Sequence, residues 1–255
     1  MLQRQVLQRW GVPGALSGIV LLGVVMIPSW NSSQLPDLKS IDDINTRKAT
    51  FFNYLTPIIE SQNEEISAQR ARLLDIAARF EKSNTVSIID SYRLKAMAGQ
   101  YDVEWVESDP GSVISTLRRR VDIVPVPLVL VQAAKESGWG TSRFALEGNN
   151  LFGQWCYSEG CGIVPAQRSR GAKHEVKVFD SIEAAINAYL QNINTGDAYQ
   201  SLRQIRARLR SAGEHPDGRA LADGLLYYSQ RREAYVDEVK GMLQQYHQFQ
   251  QRQQQ

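Results

Sequence analysis

The sequence predicts a mostly helical α+β chain preceded by an N-terminal transmembrane helix. Three observations lead there. No charged residue occurs from Trp10 to Pro36. Apolar residues recur at helical intervals through much of the chain beyond that stretch. A CYSEGC segment, residues 156–161, has the composition of a tight hairpin that its own cysteines can close. Hydrophobic residues make up 43% and charged residues 22% of the 255, enough to bury a core, which excludes wholesale disorder and collagen-like repeats. With 29 Lys and Arg against 27 Asp and Glu, nothing in the overall charge asks for nucleic acid.

Val12 to Trp30 reads VPGALSGIVLLGVVMIPSW, roughly 28 Å of helix at 1.5 Å per residue, against about 30 Å of bilayer hydrocarbon. Arg4 and Arg9 precede it, and no Lys or Arg comes after it until Lys39. The positive-inside rule then gives a single pass through the inner (cytoplasmic) membrane, with the rest periplasmic or extracellular. A cleaved signal peptide, giving a secreted protein, competes, although Pro28 and Trp30 leave no small-x-small cleavage motif after Met26. A buried core helix is the third reading.

Residues 31–40 form a polar linker, and 41–98 read as helices entered through a capping box at Ser40 and Asp43. Pro57 is expected to divide this stretch into two helices. From Asp90 to about Tyr246 the pattern is densest, and the Gln-rich end is expected to fray. The resulting division is 1–30 anchor or signal, 31–84 linker and helical spacer, 85–247 principal domain and 248–255 tail. Cys156 and Cys161 form a disulfide if the compartment is oxidising; two free thiols are the alternative.

The chain has no HExxH, GxSxG, GxxxxGK[ST] or strand-following GxGxxG. His174, His215 and His247 are scattered without metal-ligand spacing, so no metal or organic cofactor is implied. Carboxylate chemistry remains. Pro125 to Glu136 reads as an apolar helix that Gly138 and Gly140 end, and Glu136 shares a face with Val129, Gln132 and Ala133. A carboxyl on an apolar face is costly to ionise, and the negative end of the helix dipole adds to that cost. Both effects raise its pKa, as a general acid for glycosidic cleavage requires. A Glu paired with a buried Arg fits the same pattern. Trp139, Asn149, Asn150, Phe152, Trp155 and Tyr157 come soon after, a mix of aromatic and amide side chains suited to sugars. Alone, Trp139 reads more readily as core than as a sugar platform, and the asparagines read as turn residues.

The run QAAKESGWGTSRFALEGNNLFGQW closely resembles the active-site segment of glycoside hydrolase family 73, bacterial N-acetylglucosaminidases that cut peptidoglycan. CGIVPAQR, HEVKVFDS, EAAINAYLQNINT, IRARLR and GLLYYSQRREAYV extend the resemblance, most fully to the Bax-type branch, over roughly residues 85–245. The resemblance implies a lysozyme-like domain in which a small β-lobe over 155–180 faces a helical lobe. It implies Glu136 as the general acid, Tyr228 as the tyrosine near the cleft, and Asn149, Asn150, Leu151 and Phe152 along the substrate groove. YSQRREAY is one residue longer than the family's usual spacing. Where many members carry a second Glu, VPAQRSR has no acid, leaving Glu175 and Glu159 as the nearest candidates. A route using the sugar's 2-acetamido group as nucleophile avoids the need for one. The implied partner is the peptidoglycan glycan strand, with no nucleic acid. A lytic transglycosylase and a catalytically inactive, membrane-tethered wall-binding protein are the rival readings. Arg118–Arg120 and the helix bearing Arg203, Arg206, Arg208 and Arg210 read as solvated faces in preference to sites for anionic wall polymers.

Overall fold

A computed structural model describes residues 35–166, 168 and 171–253. The expected transmembrane helix lies outside these residues, and among them no helix is long and apolar enough to cross a membrane.

Helix α1 (Ile44–Ser83) starts at Asp43, whose carboxylate accepts from the Thr46 backbone N–H and hydroxyl, both at 2.7 Å. The cap is therefore Asp43 alone. Ser40 belongs to the preceding turn, where its hydroxyl donates to the Asp37 carbonyl at 2.8 Å. The break expected at Pro57 does not occur, and α1 runs unbroken for 40 residues. Pro57 is exposed, and so is Asn53, whose carbonyl loses its usual partner one turn earlier and can turn to water. On the opposite side Phe51, Phe52, Leu55 and Ile59 are buried. At about 1.5–3 kcal/mol each, these four outweigh the roughly 3 kcal/mol penalty of an interior proline.

The helical stretch anticipated as a spacer joins two cores. Its first half packs Phe51, Phe52, Leu55 and Ile59 against the large core, with Leu128, Val131 and Phe249. Its second half, through Leu73, Ile76 and Ala77, meets α2 (Ile88–Gln100) and α3 (Pro110–Arg120) in a smaller core around Leu94, Tyr101 and Leu117.

Helix α4 (Val126–Ser137) is the buried apolar helix foreseen, with every residue from Leu128 to Ala134 buried and Gly138 closing it in the left-handed conformation at φ 58°. After the short α5 (Arg143–Gly148) come strands β1 (Trp155–Cys156), β2 (Gly162–Ile163) and β3 (Glu175–Lys177). Their order is β1-β3-β2, both pairings antiparallel, with Trp155 opposite Val176 and Gly162 opposite Lys177. Helices α6 (Ile182–Thr195), α7 (Gln200–Ser211) and α8 (Gly218–Ala222) lead to α9 (Glu233–Gln253). A mostly helical body with one small sheet fits the lysozyme-like α+β class. Among the described residues the fraying expected of the Gln-rich end is not seen. Helix α9 reaches Gln253, because Tyr246 and Phe249, three residues apart, seat their rings 5.0 and 5.9 Å from that of Phe52.

Of the basic residues expected on solvated faces, Arg118, Arg119 and Arg208 are exposed, whereas two on α7 are not. Arg203 and Arg206 on α7 are buried, not solvated. Arg203 donates to the carbonyls of Ile193 and Gly196, and Arg206 to those of Asp122 and Ile123. A guanidinium's five donors suit such clusters of carbonyls.

Candidate active site

Glu136 occupies the last turn of α4, half-buried. One turn earlier Gln132, fully buried, accepts from the Tyr189 hydroxyl at 2.5 Å and donates to the Tyr235 hydroxyl at 2.9 Å. Having accepted from Gln132, the Tyr235 phenol has its own proton for the Glu136 carboxylate, to which it is hydrogen-bonded. Helices α4, α6 and α9 thus meet in one polar chain running Tyr189, Gln132, Tyr235, Glu136.

Burial raises the Glu136 pKa above the ordinary carboxylate value; the Tyr235 hydrogen bond and Lys135 pull against it, and Glu238 pushes with it. Glu238 is itself ion-paired to Lys135 and Arg231, so part of each charge is neutralised before Glu136 senses it. The net result is a carboxyl biased toward its protonated form.

Aromatic rings surround this chain. Tyr228 stacks on Tyr235 with centroids 5.0 Å apart, and its hydroxyl donates to the Phe152 carbonyl at 3.1 Å. Burial, then Tyr235 and Glu136, holds the Tyr228 phenol well above its usual pKa, so it is a hydrogen-bond donor and not a phenolate. Phe152 stacks on Tyr189 at 4.0 Å. The structure therefore brings together Glu136, Tyr228 and Phe152 from the residues named by sequence.

The remaining candidates lie in other settings. The Trp139 ring turns toward α1, edge-on to Phe51 and Phe52 at 5.8 and 5.3 Å, with the Lys48 ammonium 4.9 Å from its centre. Asn149 caps α5 and donates to the Phe179 carbonyl. Asn150 is buried, donating to the Gln154 and Lys177 carbonyls and accepting from the Phe152 and Gln154 N–H groups. Its amide pins the loop that presents Phe152. Trp155 is 54% exposed and stacks on His174 at 4.2 Å.

Cys156 and Cys161 are joined in a disulfide with Cα atoms 6.2 Å apart. Glu175 lies buried beside them, its two oxygens accepting from the Gly160 and Gly162 N–H groups at 3.2 and 2.8 Å. Gly162 has no room for a side chain, since a Cβ there would fall 2.0 Å from the Val176 carbonyl oxygen. Cys156, Cys161 and Glu175 present atoms within 4.8 Å of one another, but the disulfide removes the two thiolates a metal would need.

Tyr235 and Tyr189 were not singled out from sequence. The available signal was the second tyrosine of YSQRREAY together with the spacing of four between Gln132 and Glu136.

Compared with known proteins, residues 112–248 match the glucosaminidase family model, described as mannosyl-glycoprotein endo-beta-N-acetylglucosaminidase. The chain is also 36% identical over 216 residues to Protein bax of Escherichia coli (strain K12), covering 85% of this chain and 76% of that protein. No solved structure matches.

Proposed function

This chain belongs to the glucosaminidase family, glycoside hydrolase family 73, in its Bax-type branch, and from that premise we propose that it cleaves N-acetylglucosaminyl β-1,4 bonds of peptidoglycan with Glu136 as general acid. Family membership supports glycosidase activity directed at peptidoglycan. The observation that supports the finer reading is the polar chain ending on Glu136: a half-buried carboxyl with raised pKa, oriented by a tyrosine that a buried glutamine holds in place.

In this reading the protonated Glu136 carboxyl donates to the glycosidic oxygen as the bond from that oxygen to the anomeric carbon breaks. Water completes the hydrolysis, its hydroxide going to the anomeric carbon and its proton restoring Glu136. Tyr228, still protonated, supplies a polar hydroxyl beside the reacting sugar. Trp155, exposed on the lobe, offers a flat apolar surface to a sugar face, while Asn149, Asn150 and Phe152 shape the groove wall. Glu175 is the weaker choice for the second carboxylate, because both its oxygens already hold backbone N–H groups. That favours the route in which the substrate's acetamido oxygen attacks the anomeric carbon.

The test is muropeptide release by the full-length protein and by its Glu136→Gln variant, with products identified by mass spectrometry. Reducing-end products and a loss of about 100-fold or more in the variant are expected. Anhydro-sugar products would replace the hydrolase with a lytic transglycosylase. No release by the wild-type protein, or equal release by the variant, would leave a wall-binding protein instead.

A further inference from the structure

A second feature lies apart from the residues around Glu136. Helices α1, α3 and α7 enclose a cleft of about 740 Å³. Arg70, Arg118, Arg119 and Arg210 line it, against the single carboxylate of Glu81. Leu74, Phe80 and Ile114 supply apolar wall between the charges.

The cations exceed the anions available to them. Beneath the cleft the buried Asp122 carboxylate serves three guanidiniums, lying 2.9 Å from Arg210, 3.4 Å from Arg70 and 3.8 Å from Arg206. Arg118 pairs with Glu81 at 2.8 Å in an exposed contact, a kind of pair that contributes little. Among the described residues the Arg119 guanidinium donates only to the hydroxyls of Ser115 and Thr116, at 3.2 and 3.3 Å. Burial pulls Arg70 and Arg206 below the ordinary guanidinium pKa, Arg206 to about 10; Asp122 opposes this, and neighbouring arginines add to it. An anion entering the cleft relieves that repulsion.

We propose that this cleft is a second, non-catalytic substrate site that takes the carboxylate-bearing peptide stems of peptidoglycan. The cation excess sets the ligand's sign, and guanidinium groups pair with carboxylates through two parallel hydrogen bonds. The apolar stretches between the arginines suit a peptide's short aliphatic side chains better than a bare phosphodiester chain. The choice of peptidoglycan rests on the function proposed above, whereas the anionic preference stands on the cleft alone. The site would hold the polymer while Glu136 works on its glycan.

The experiment measures co-sedimentation of the full-length protein with insoluble peptidoglycan, in a Glu136→Gln background so that the polymer persists. Its arms are native polymer, polymer whose stem carboxyls have been amidated, and polymer bearing a phosphodiester wall chain. Arg118→Gln with Arg119→Gln should weaken binding to native polymer roughly five-fold at low salt. Amidation should weaken the parent similarly, and the two losses should not add. Glu81→Gln should tighten binding, which a fold defect would not produce. With Glu136 intact, the arginine variants should still cleave a peptide-free N-acetylglucosamine oligomer at the parent's rate. Undiminished binding by the arginine variants overturns the site. Unchanged binding after amidation, or arginine dependence confined to the phosphodiester polymer, overturns the carboxylate assignment. If the active parent cleaves peptidoglycan while the arginine variants bind normally, the cleft alone fails; if the parent neither binds nor cleaves, the functional reading fails with it.

Discussion

Glu136 and Tyr235 oppose each other in a way that can be measured. A hydrogen bond from the phenol favours the ionised carboxylate, while burial and Glu238 favour the protonated one. A general acid works only while protonated, so activity should fall as pH rises through the Glu136 pKa. Tyr235→Phe removes a stabiliser of the carboxylate, and the alkaline limb of kcat/KM should move to higher pH. Glu238→Gln removes a repulsive charge and frees Lys135, so the same limb should move to lower pH, most clearly at low ionic strength. Limbs that move together, or do not move, would contradict the assignment of that limb to Glu136. Tyr235→Phe also leaves the buried Gln132 amide without its acceptor, at a cost of about 1–3 kcal/mol. Stability depends on the same shift with its sign reversed from the usual salt-bridged acid. The folded state holds the Glu136 proton more tightly than the unfolded chain does. Stability contributed by this group is therefore present at low pH and is lost as pH rises toward the folded pKa. Glu136→Gln should accordingly raise Tm above that pKa even as it removes activity.

Among the elements, α1 gives a second contrast between local preference and tertiary packing. Pro57 is exposed in mid-helix, and Pro57→Ala should stabilise the protein by about 2 kcal/mol: the roughly 3 kcal/mol propensity gap, less up to about 1 kcal/mol because proline also restricts the unfolded chain. A lower midpoint in thermal or denaturant unfolding would mean that Pro57 sets a bend the core requires. The same contrast explains what was legible in the sequence. Helix α4 was legible because an apolar run with prolines at its start and glycines after it is a local pattern, and the disulfide because its cysteines are five positions apart. The course of α9 was not. Glutamines dominate its end, and the anchor for Tyr246 and Phe249 is Phe52, nearly two hundred residues earlier in the chain. Tyr235 was obscure for the same reason, since only the packing of α9 on α4 brings it to Glu136. The side of α4 to which Trp139 turns depends on Phe51 and Phe52 in the same way.

At the scale of the whole molecule, the disulfide bears on the compartment in which the protein works. The Cys156–Cys161 bond closes a loop of only a few residues. In the chain-entropy view it adds about 2 kcal/mol, held within the lobe that carries Trp155 and Glu175. Such bonds persist in oxidising compartments and are rare where thiols are kept reduced. This agrees with the expectation from the sequence, which we carry forward as a proposal, that the charge-free run over 12–30 inserts with the N-terminus inside and delivers the rest outside the cytoplasmic membrane. On this reading the full-length protein should fractionate with membranes, require detergent for release, and keep its full mass. Protease added to intact spheroplasts should digest the part beyond residue 30, and alkylation without prior reduction should find no free thiol. A protein lacking residues 1–30 should stay in the cytoplasm with both thiols open to alkylation and a lower Tm until oxidised. A soluble exported protein shortened by about 30 residues would establish a cleaved signal in place of the anchor. Full-length protein shielded from protease in spheroplasts would overturn export itself, and with it the access to peptidoglycan that the proposed reaction requires.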